Sequence, residues 1–403
     1  MVPDSADSRS VVIIYKDKLL PRSQTFVLAQ AEALERYVPV YVGARLVAGG
    51  LSLPQDRSVV VNRGGWVGRM REEAFYRSGW SPRMMHFLKA RRPKLLHCHF
   101  GPDGVRAMRL AKRVGVPFLI TFHGYDATIT PGKSPDWRHR VFVEQKMRLA
   151  HAGSRFLAVS QYIRQKLLAQ GFPEERVLVH YIGIDTGFFS ADPSVAREPV
   201  VLFVGRLVEK KGCEYLIRAV GRLRNSHPQV RLVIIGDGPL RSQLRDLAEQ
   251  HCPSATFLGA QSPNEIRNWL NRASVFCVPS VTAENGDQEG FGLVFAEAQA
   301  MGVPVVSFAS AGVPEAVAHG STGFLVPERD EEGLAHSIMT LLNDKQAWQV
   351  CSTAGVARVR KQFDLRRQTR VLEEIYSAVA SEAAGHASEL GVAVEADSRL
   401  AVL

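Results

Sequence analysis

The 403-residue chain has no stretch of about 18 or more uncharged apolar residues, so no segment of it reads as a membrane-spanning helix. Its first residues, Met1 to Asp7, are acidic where a secretory signal is basic, and the expectation is a protein that stays in the cytosol. Cysteine is sparse and scattered. Cys98, Cys213, Cys252, Cys277 and Cys351 stand singly, without the close pairs that zinc and redox motifs use, which predicts reduced, mostly packed thiols. An Asp-x-Asp triplet, the usual holder of a divalent ion beside a diphosphate, does not occur. His97 and His99 flank Cys98 on one strand face, but a third and a fourth ligand are missing at metal spacing. A packed or cleft-facing role is expected for both, and no metal is assigned. No internal repeat of short period is found.

What is plentiful is positive charge. The net charge of +10 points to an anionic partner: a phosphorylated substrate, nucleic acid or an acidic membrane surface. Between Arg57 and Lys94 the basic residues Arg63, Arg69, Arg71, Arg77, Arg83, Lys89, Arg91 and Arg92 outnumber acids, with Trp66, Trp80, Met84, Met85, Phe87 and Leu88 interleaved. The apolar residues at 84, 85, 87 and 88 share one helical face. An interfacial helix on an anionic membrane is one reading; a helix docked on its own domain with a solvated basic side is the other.

Short β-rich runs alternate with helical patterns almost from end to end, which predicts an α/β protein of parallel sheets built from βαβ units. Strands are expected at 11–15, 38–42, 59–62, 95–100, 118–122, 156–160 and 177–181. After a Pro-flanked polar stretch, Asp192 to Pro199, a second series follows at 200–205, 231–236, 256–259, 275–279, 303–308 and 324–326. The expected division is two Rossmann-like domains, 1–192 and 199–363. A C-terminal helix over 364–381 carries Leu365, Val371, Leu372 and Ile375 back to the first domain, and a loosely ordered tail follows at 382–403.

The most informative stretch is Glu289-Gly-Phe-Gly-Leu-Val-Phe-Ala-Glu297. Gly290 and Gly292 let backbone approach a ligand, and the helix beginning beside them turns unpaired N–H groups toward an anion. Phe291, Leu293, Val294 and Phe295 make the segment apolar enough to bury, and a buried carboxylate needs a partner. One carboxylate before the helix and one within it suit separate hydroxyls of a sugar and a ribose. A second element, Gly205-Arg206-Leu-Val-Glu-Lys210-Lys211-Gly212, follows a predicted strand and puts cations at the end of the sheet, where phosphate docks. Arg206 offers a planar fork to phosphate oxygens; Lys211 offers a compact charge.

Together these elements resemble the retaining, GT-B-fold glycosyltransferases of family 4. The likeness extends through Leu202 to Gly212, Ile234 to Pro239, Phe257 to Gly259, Pro279-Ser280, Glu289 to Glu297 and Gly312 to Val317, in that family's order. Ser280 to Gly290, His97 to Gly101 and Arg22 to Phe26 are similar to the colanic-acid and exopolysaccharide assembly transferases. The resemblance implies two domains facing across a cleft and a nucleoside-diphosphate sugar as donor substrate, with no cofactor required. The acceptor it implies is a lipid-linked or glycan molecule.

Residue by residue, it implies that Arg206 and Lys211 hold the diphosphate, Glu297 the ribose and Glu289 the transferred sugar. The backbone of Gly290, Phe291, Gly292 and Leu293 would line sugar and phosphate, and His123 would approach the donor from the first domain. His99 and Asp126 fall on the acceptor side. The acceptor would attack from the face that the diphosphate leaves, without a covalent intermediate, so that configuration is retained. Positive charge gathers on the sugar and negative charge on the departing phosphate. Each preorganised donor aimed at that phosphate is worth on the order of 3 kcal/mol, and no metal need take part.

Family members often carry a glycine-rich first loop, whereas Lys16 to Thr25 contains no glycine. Ser23, Gln24 and Thr25 are expected to cap the following helix. Two other readings keep the scaffold or the charge: a nucleotide-sugar epimerase or phosphorylase, and a non-enzymatic membrane- or nucleic-acid-binding protein. The first is tested by product formed without acceptor or by a pyridoxal absorbance. The second explains the charge but not the paired glutamates, and nucleic acid is not expected as a partner.

Overall fold

The computed structural model describes residues 9–400, with side chains described for all but Arg22 and residues 386–400. The first sheet contains β1 (Ser10–Leu19), β2 (Tyr37–Leu46), β3 (Ser58–Asn62), β4 (Leu95–His99), β5 (Phe118–Phe122), β6 (Arg155–Ala158) and β7 (Val177–Val179), in the order β3-β2-β1-β4-β5-β6-β7. A second sheet contains β8 (Glu198–Val204), β9 (Arg231–Ile235), β10 (Thr256–Gly259), β11 (Ala273–Cys277), β12 (Val305–Phe308) and β13 (Gly323–Val326), in the order β10-β9-β8-β11-β12-β13. Their strand pairings are parallel.

Parallel neighbours require crossovers, and the crossover helices cover both faces of each sheet. Hence β4 and β5 are buried at every residue, Val200 to Val204 of β8 likewise, and these strands read as continuous apolar runs. The helix Cys213–Arg222 shows the matching pattern: Cys213, Leu216, Ile217 and Val220, three and four apart, turn inward. Strand order reverses between β1 and β4 in one sheet and between β8 and β11 in the other. Both reversals place a crevice beyond the carboxyl ends of those strands.

The chain passes between the two sheets twice. It leaves the first after β7 and returns at Phe363. The two passages are bonded to each other: Ile184 N–H donates to Phe363 O and Leu365 N–H to Ile184 O, both at 2.9 Å. The helix Leu365–Leu400 then lies on the first unit, where Leu372, Tyr376 and Val379 join Val12, Ile14, Val27 and Tyr41 in one apolar cluster. Fully burying a side chain of the Leu type contributes about 1.5–3 kcal/mol. The Glu373 carboxylate fastens this helix by accepting from Glu35 N–H (2.8 Å), Arg36 N–H (2.6 Å) and Arg36 Nε (3.3 Å).

Several details depart from the sequence reading. β1 continues four residues beyond Tyr15, pairing Lys16 with Gly43 and Lys18 with Arg45, so the first half of the expected loop is strand. Lys16 and Asp17 are tolerated there because each finds a buried partner of opposite charge, Asp103 and Arg106. The helix Pro82–Arg91 sends Met84 and Leu88 into the core with Met85 and Phe87 packed behind, so its apolar face is spent within its own domain. Outward apolar surface in that region lies instead on the preceding helix, Gly65–Ser78, at Trp66, Val67 and Met70, and at Trp80 just after it. Val371 faces outward, unlike Leu372 one residue on. Ser23, Gln24 and Thr25 supply no side-chain cap to the helix Thr25–Glu32. The backbone of the segment expected to be a loose tail is helical to Leu400, and residues 401–403 lie outside the described residues. Among the described residues no helix is long and apolar enough to cross a membrane.

Candidate active site

At the exit of β8 the chain runs through Gly205 and Arg206 into a single turn, Glu209–Lys211, and then into the helix Cys213–Arg222. Gly212 joins the two in a left-handed conformation at φ 59°, and a Cβ there would come within 1.9 Å of Pro279 O. Only glycine lets this turn press against the exit of β11. That closeness brings Lys210 to Asp287 (3.0 Å) and Lys211 to Glu289, so the basic turn and the acidic segment form one electrostatic unit.

Glu289 is buried. Burial alone would push its carboxyl up, but the charges of Lys211 and Lys210, with the Lys211 hydrogen bond, hold it below the ordinary value. Glu297 is different. It stands inside the helix Leu293–Ala300, half-buried, with no hydrogen bond or ion pair to its carboxyl among the described residues. Burial raises it to about 7, opposed by the charge of Lys211. A carboxylate without a protein partner, at the rim of a cleft, is ready to receive hydroxyls. Arg206 is exposed and has no side-chain hydrogen bond or ion pair among the described residues.

The helix Leu293–Ala300 starts at Gly292, φ 83°, and no side chain caps it. Phe295 N–H donates to Gly292 O at 3.0 Å, which leaves the N–H groups of Leu293 and Val294 for an anion. Gly290 lies against the first domain: a Cβ there would meet His123 O at 2.1 Å. The Phe291 ring is buried, packing on Tyr181 and Phe363 beside the double crossing.

Across the cleft His123 follows β5. Its ring is half-buried between Phe26 (5.0 Å between centroids) and Phe100 (4.3 Å), and Nε2 is 3.1 Å from His99 Nδ1. His99 is buried behind it. His97 has both ring nitrogens engaged, with Tyr376 OH at 2.6 Å and Thr121 Oγ1 at 2.8 Å. Asp126 is buried as well, and its oxygens accept from the backbone N–H of Gly101, His123 and Gly124 at 2.9–3.0 Å. Burial raises its carboxyl, and those bonds counteract the rise. Its place is beneath the loop that carries His123, with no oxygen turned to an acceptor.

Two groups without an assigned role in the sequence reading matter here. The Glu315 carboxylate, from the second unit, accepts from Gln161 N–H (2.7 Å), Tyr162 N–H (2.8 Å) and Tyr181 OH (3.0 Å). It caps a first-domain helix and ties the two walls of the cleft. Lys16, only 4% exposed, reaches His99 O at 3.3 Å and ion-pairs with Asp103. The signal for this pair is a lysine just past the apolar run of a strand and an aspartate in the first turn of a helix that follows a neighbouring strand.

Two parallel-sheet, Rossmann-like units with a cleft between the reversal points of both make this a GT-B fold. Residues 188–357 match the model of the Glycosyl transferases group 1 family, and residues 23–188 that of Glycosyltransferase Family 4. The chain is 32% identical over 289 residues to the amylovoran biosynthesis glycosyltransferase AmsK of Erwinia amylovora, covering 70% of this chain and 69% of that one. It is 34% identical over 250 residues to the colanic acid biosynthesis glycosyltransferase WcaL of Escherichia coli strain K12, spanning 60% of this chain and 59% of that one. Anabaena HepE, solved in complex with UDP and glucose, superposes with a TM-score of 0.73 at 21% identity, over 92% of this chain and 100% of HepE. The chain belongs to the family 4 glycosyltransferases.

Proposed function

We propose that this glycosyltransferase moves a hexosyl group, with retention of configuration, from a nucleoside-diphosphate sugar to a lipid-linked or oligosaccharide acceptor during assembly of a cell-surface polysaccharide. The observation that carries the reading is the buried Lys211–Glu289 pair standing between an exposed Arg206 and an unpartnered Glu297. Arg206, Lys211 and the uncapped helix start oppose the charge that grows on the departing diphosphate, the work a divalent cation does elsewhere. Glu297 receives the ribose hydroxyls and Glu289 the transferred sugar. His123 faces that sugar from the other wall, and the departing phosphate takes the acceptor proton on the face from which attack comes. The names of WcaL and AmsK support the polysaccharide setting, and the HepE complex supports a UDP-sugar donor.

A peripheral position on the inner membrane face fits the region 57–94. Its contact is the outer side of the helix Gly65–Ser78, where Trp66 is 73% and Met70 63% exposed among Arg63, Arg69 and Arg71.

A thermal-shift panel of UDP, GDP, ADP and their sugars identifies the donor, because a ligand bound to the native state raises its melting temperature. Transfer to membrane acceptor is then measured with that donor. Glu289→Ala and Lys211→Ala should each lower the rate by about a hundredfold or more. Wild-type rates in either variant would sink the proposal.

A further inference from the structure

β4 and β5 end beside Lys16 of β1, and this brings four imidazoles or cations together: Lys16, His97 and His99, which are buried, and His123, which is half-buried. The His99 and His123 rings are stacked, 5.3 Å apart and 27° from coplanar, with one nitrogen of each in contact at 3.1 Å. Two imidazole nitrogens at that distance share a single proton, since two N–H groups would collide and two lone pairs would repel. Nδ1 of His123 has no protein partner among the described residues, and it is not one of the buried polar atoms sealed off from solvent.

The surroundings bear on the charge of the pair. On β1, the Lys16 ammonium lies 4.1 Å from the Phe100 ring centroid and bonds His99 O. On the helix Gly101–Val114, Asp103 is taken up by Lys16. On the helix Tyr125–Thr128, Asp126 spends its oxygens on backbone N–H groups. On β4, His97 bonds neutral hydroxyls. No carboxylate therefore bonds either ring of the pair, and the nearest fixed charge is positive.

We propose that His99 is a positioning residue for His123: the nitrogen–nitrogen contact fixes the ring and its tautomer, so that an uncharged His123 presents Nδ1 to a sugar hydroxyl in the cleft. This rests on the cleft being the sugar-transfer site, but the arrangement of the pair can be read without substrate. Burial, then Lys16 for His123 and the neighbouring histidines for His99, holds both rings well below the ordinary imidazole value. Both influences favour the uncharged ring, which suits His123 to a hydrogen-bonding role.

The test uses the full chain with 15N-labelled histidine and long-range proton–nitrogen spectra of the rings from pH 5 to 8, His123 being assigned by its loss in His123→Gln. The expected wild-type spectrum shows His123 neutral and in one tautomer throughout. His99→Phe should release the ring into a mixture of tautomers, and His99→Gln, which keeps a polar group at that place, should restore one. A wild-type imidazolium at pH 7, or a His123 tautomer unchanged in His99→Phe, overturns the proposal. If His99→Phe does not fold, a wild-type His123 found as a mixture of tautomers overturns it instead. Failure of every nucleotide in the thermal-shift panel would sink the transfer reading while leaving these spectra as they are.

Discussion

Lys211 and Glu289 form an ion pair in which both side chains are nearly shut off from water, at 13% and 11% exposure. Taking away one partner strands the other as a buried charge, which costs about 3–5 kcal/mol, whereas replacing both with neutral groups of similar size is close to neutral. Lys211→Ala should therefore lower the denaturant midpoint sharply, and Lys211→Met with Glu289→Gln should recover most of the loss. The sign of the pH dependence follows from the depressed Glu289 carboxyl. Its contribution is present above the unfolded carboxylate value and fades as pH falls through the folded one, so wild type and Lys211→Ala should converge only in acid beyond the ordinary carboxylate range. Equal loss in the single and double variants would refute the pairing argument.

Glu297 should behave in the opposite way. With its carboxyl near 7, it is protonated in mild acid and loses part of its capacity to accept ribose hydroxyls. Nucleotide affinity, followed by calorimetry, should fall by about tenfold or less from pH 8 to pH 6 in the wild type and stay flat in Glu297→Gln. Stability carries the reverse sign. A raised carboxyl favours the fold while proton-bound, an effect present below about 4.5 and lost as pH rises through 7. Glu297→Gln should accordingly melt higher than wild type at pH 8, by on the order of 3 °C, with the advantage gone near pH 4.5.

Gly290 is one of the points where the two walls touch, so Gly290→Ala tests whether that touch is needed. Its backbone conformation admits alanine, but the added carbon would lie 2.1 Å from His123 O. The walls must part to admit it. The expected outcome is a protein folded by circular dichroism, with an enlarged radius of gyration in X-ray scattering and transfer reduced by about tenfold or more. A variant of unchanged radius and rate would show the contact to be dispensable.

The proposed membrane contact is tested at Trp66 and Met70, because the face at 84, 85, 87 and 88 is packed within its own domain. Sedimentation with phosphatidylglycerol vesicles should weaken in high salt, as a screened basic surface requires, and weaken further in Trp66→Ser with Met70→Ser. Protein that stays in the supernatant at low salt removes the membrane from the account.

Alternation of apolar runs and glycine-marked turns made the strands readable, because a parallel strand covered on both faces must be apolar throughout and must end at a turn. β1 escaped that logic in its last third: Lys16, Asp17 and Lys18 do not read as strand, and their partners Asp103 and Arg106 are more than eighty residues away. The helical face at Met84 and Leu88 was visible, but periodicity gives a face without saying whether protein or lipid covers it. Asp126 read as a cleft residue from its place after β5; its three backbone partners exist only once Gly101 and His123 are side by side. Glu315 lay in a recognisable block, yet its attachment to Gln161 and Tyr162 joins segments about 150 residues apart and leaves no local trace.

The bridge between Ile184 and Asp364 has a mechanical consequence. A single strand between two bodies is a ball joint, free to swivel in any direction. Here two strands run together, with Gly183 packed so closely on Leu365 that a Cβ would lie 2.4 Å from its Cα. That makes a door hinge with one axle. An opening that admits a substrate is expected to swing about this line, so that open and shut forms would trace a single arc.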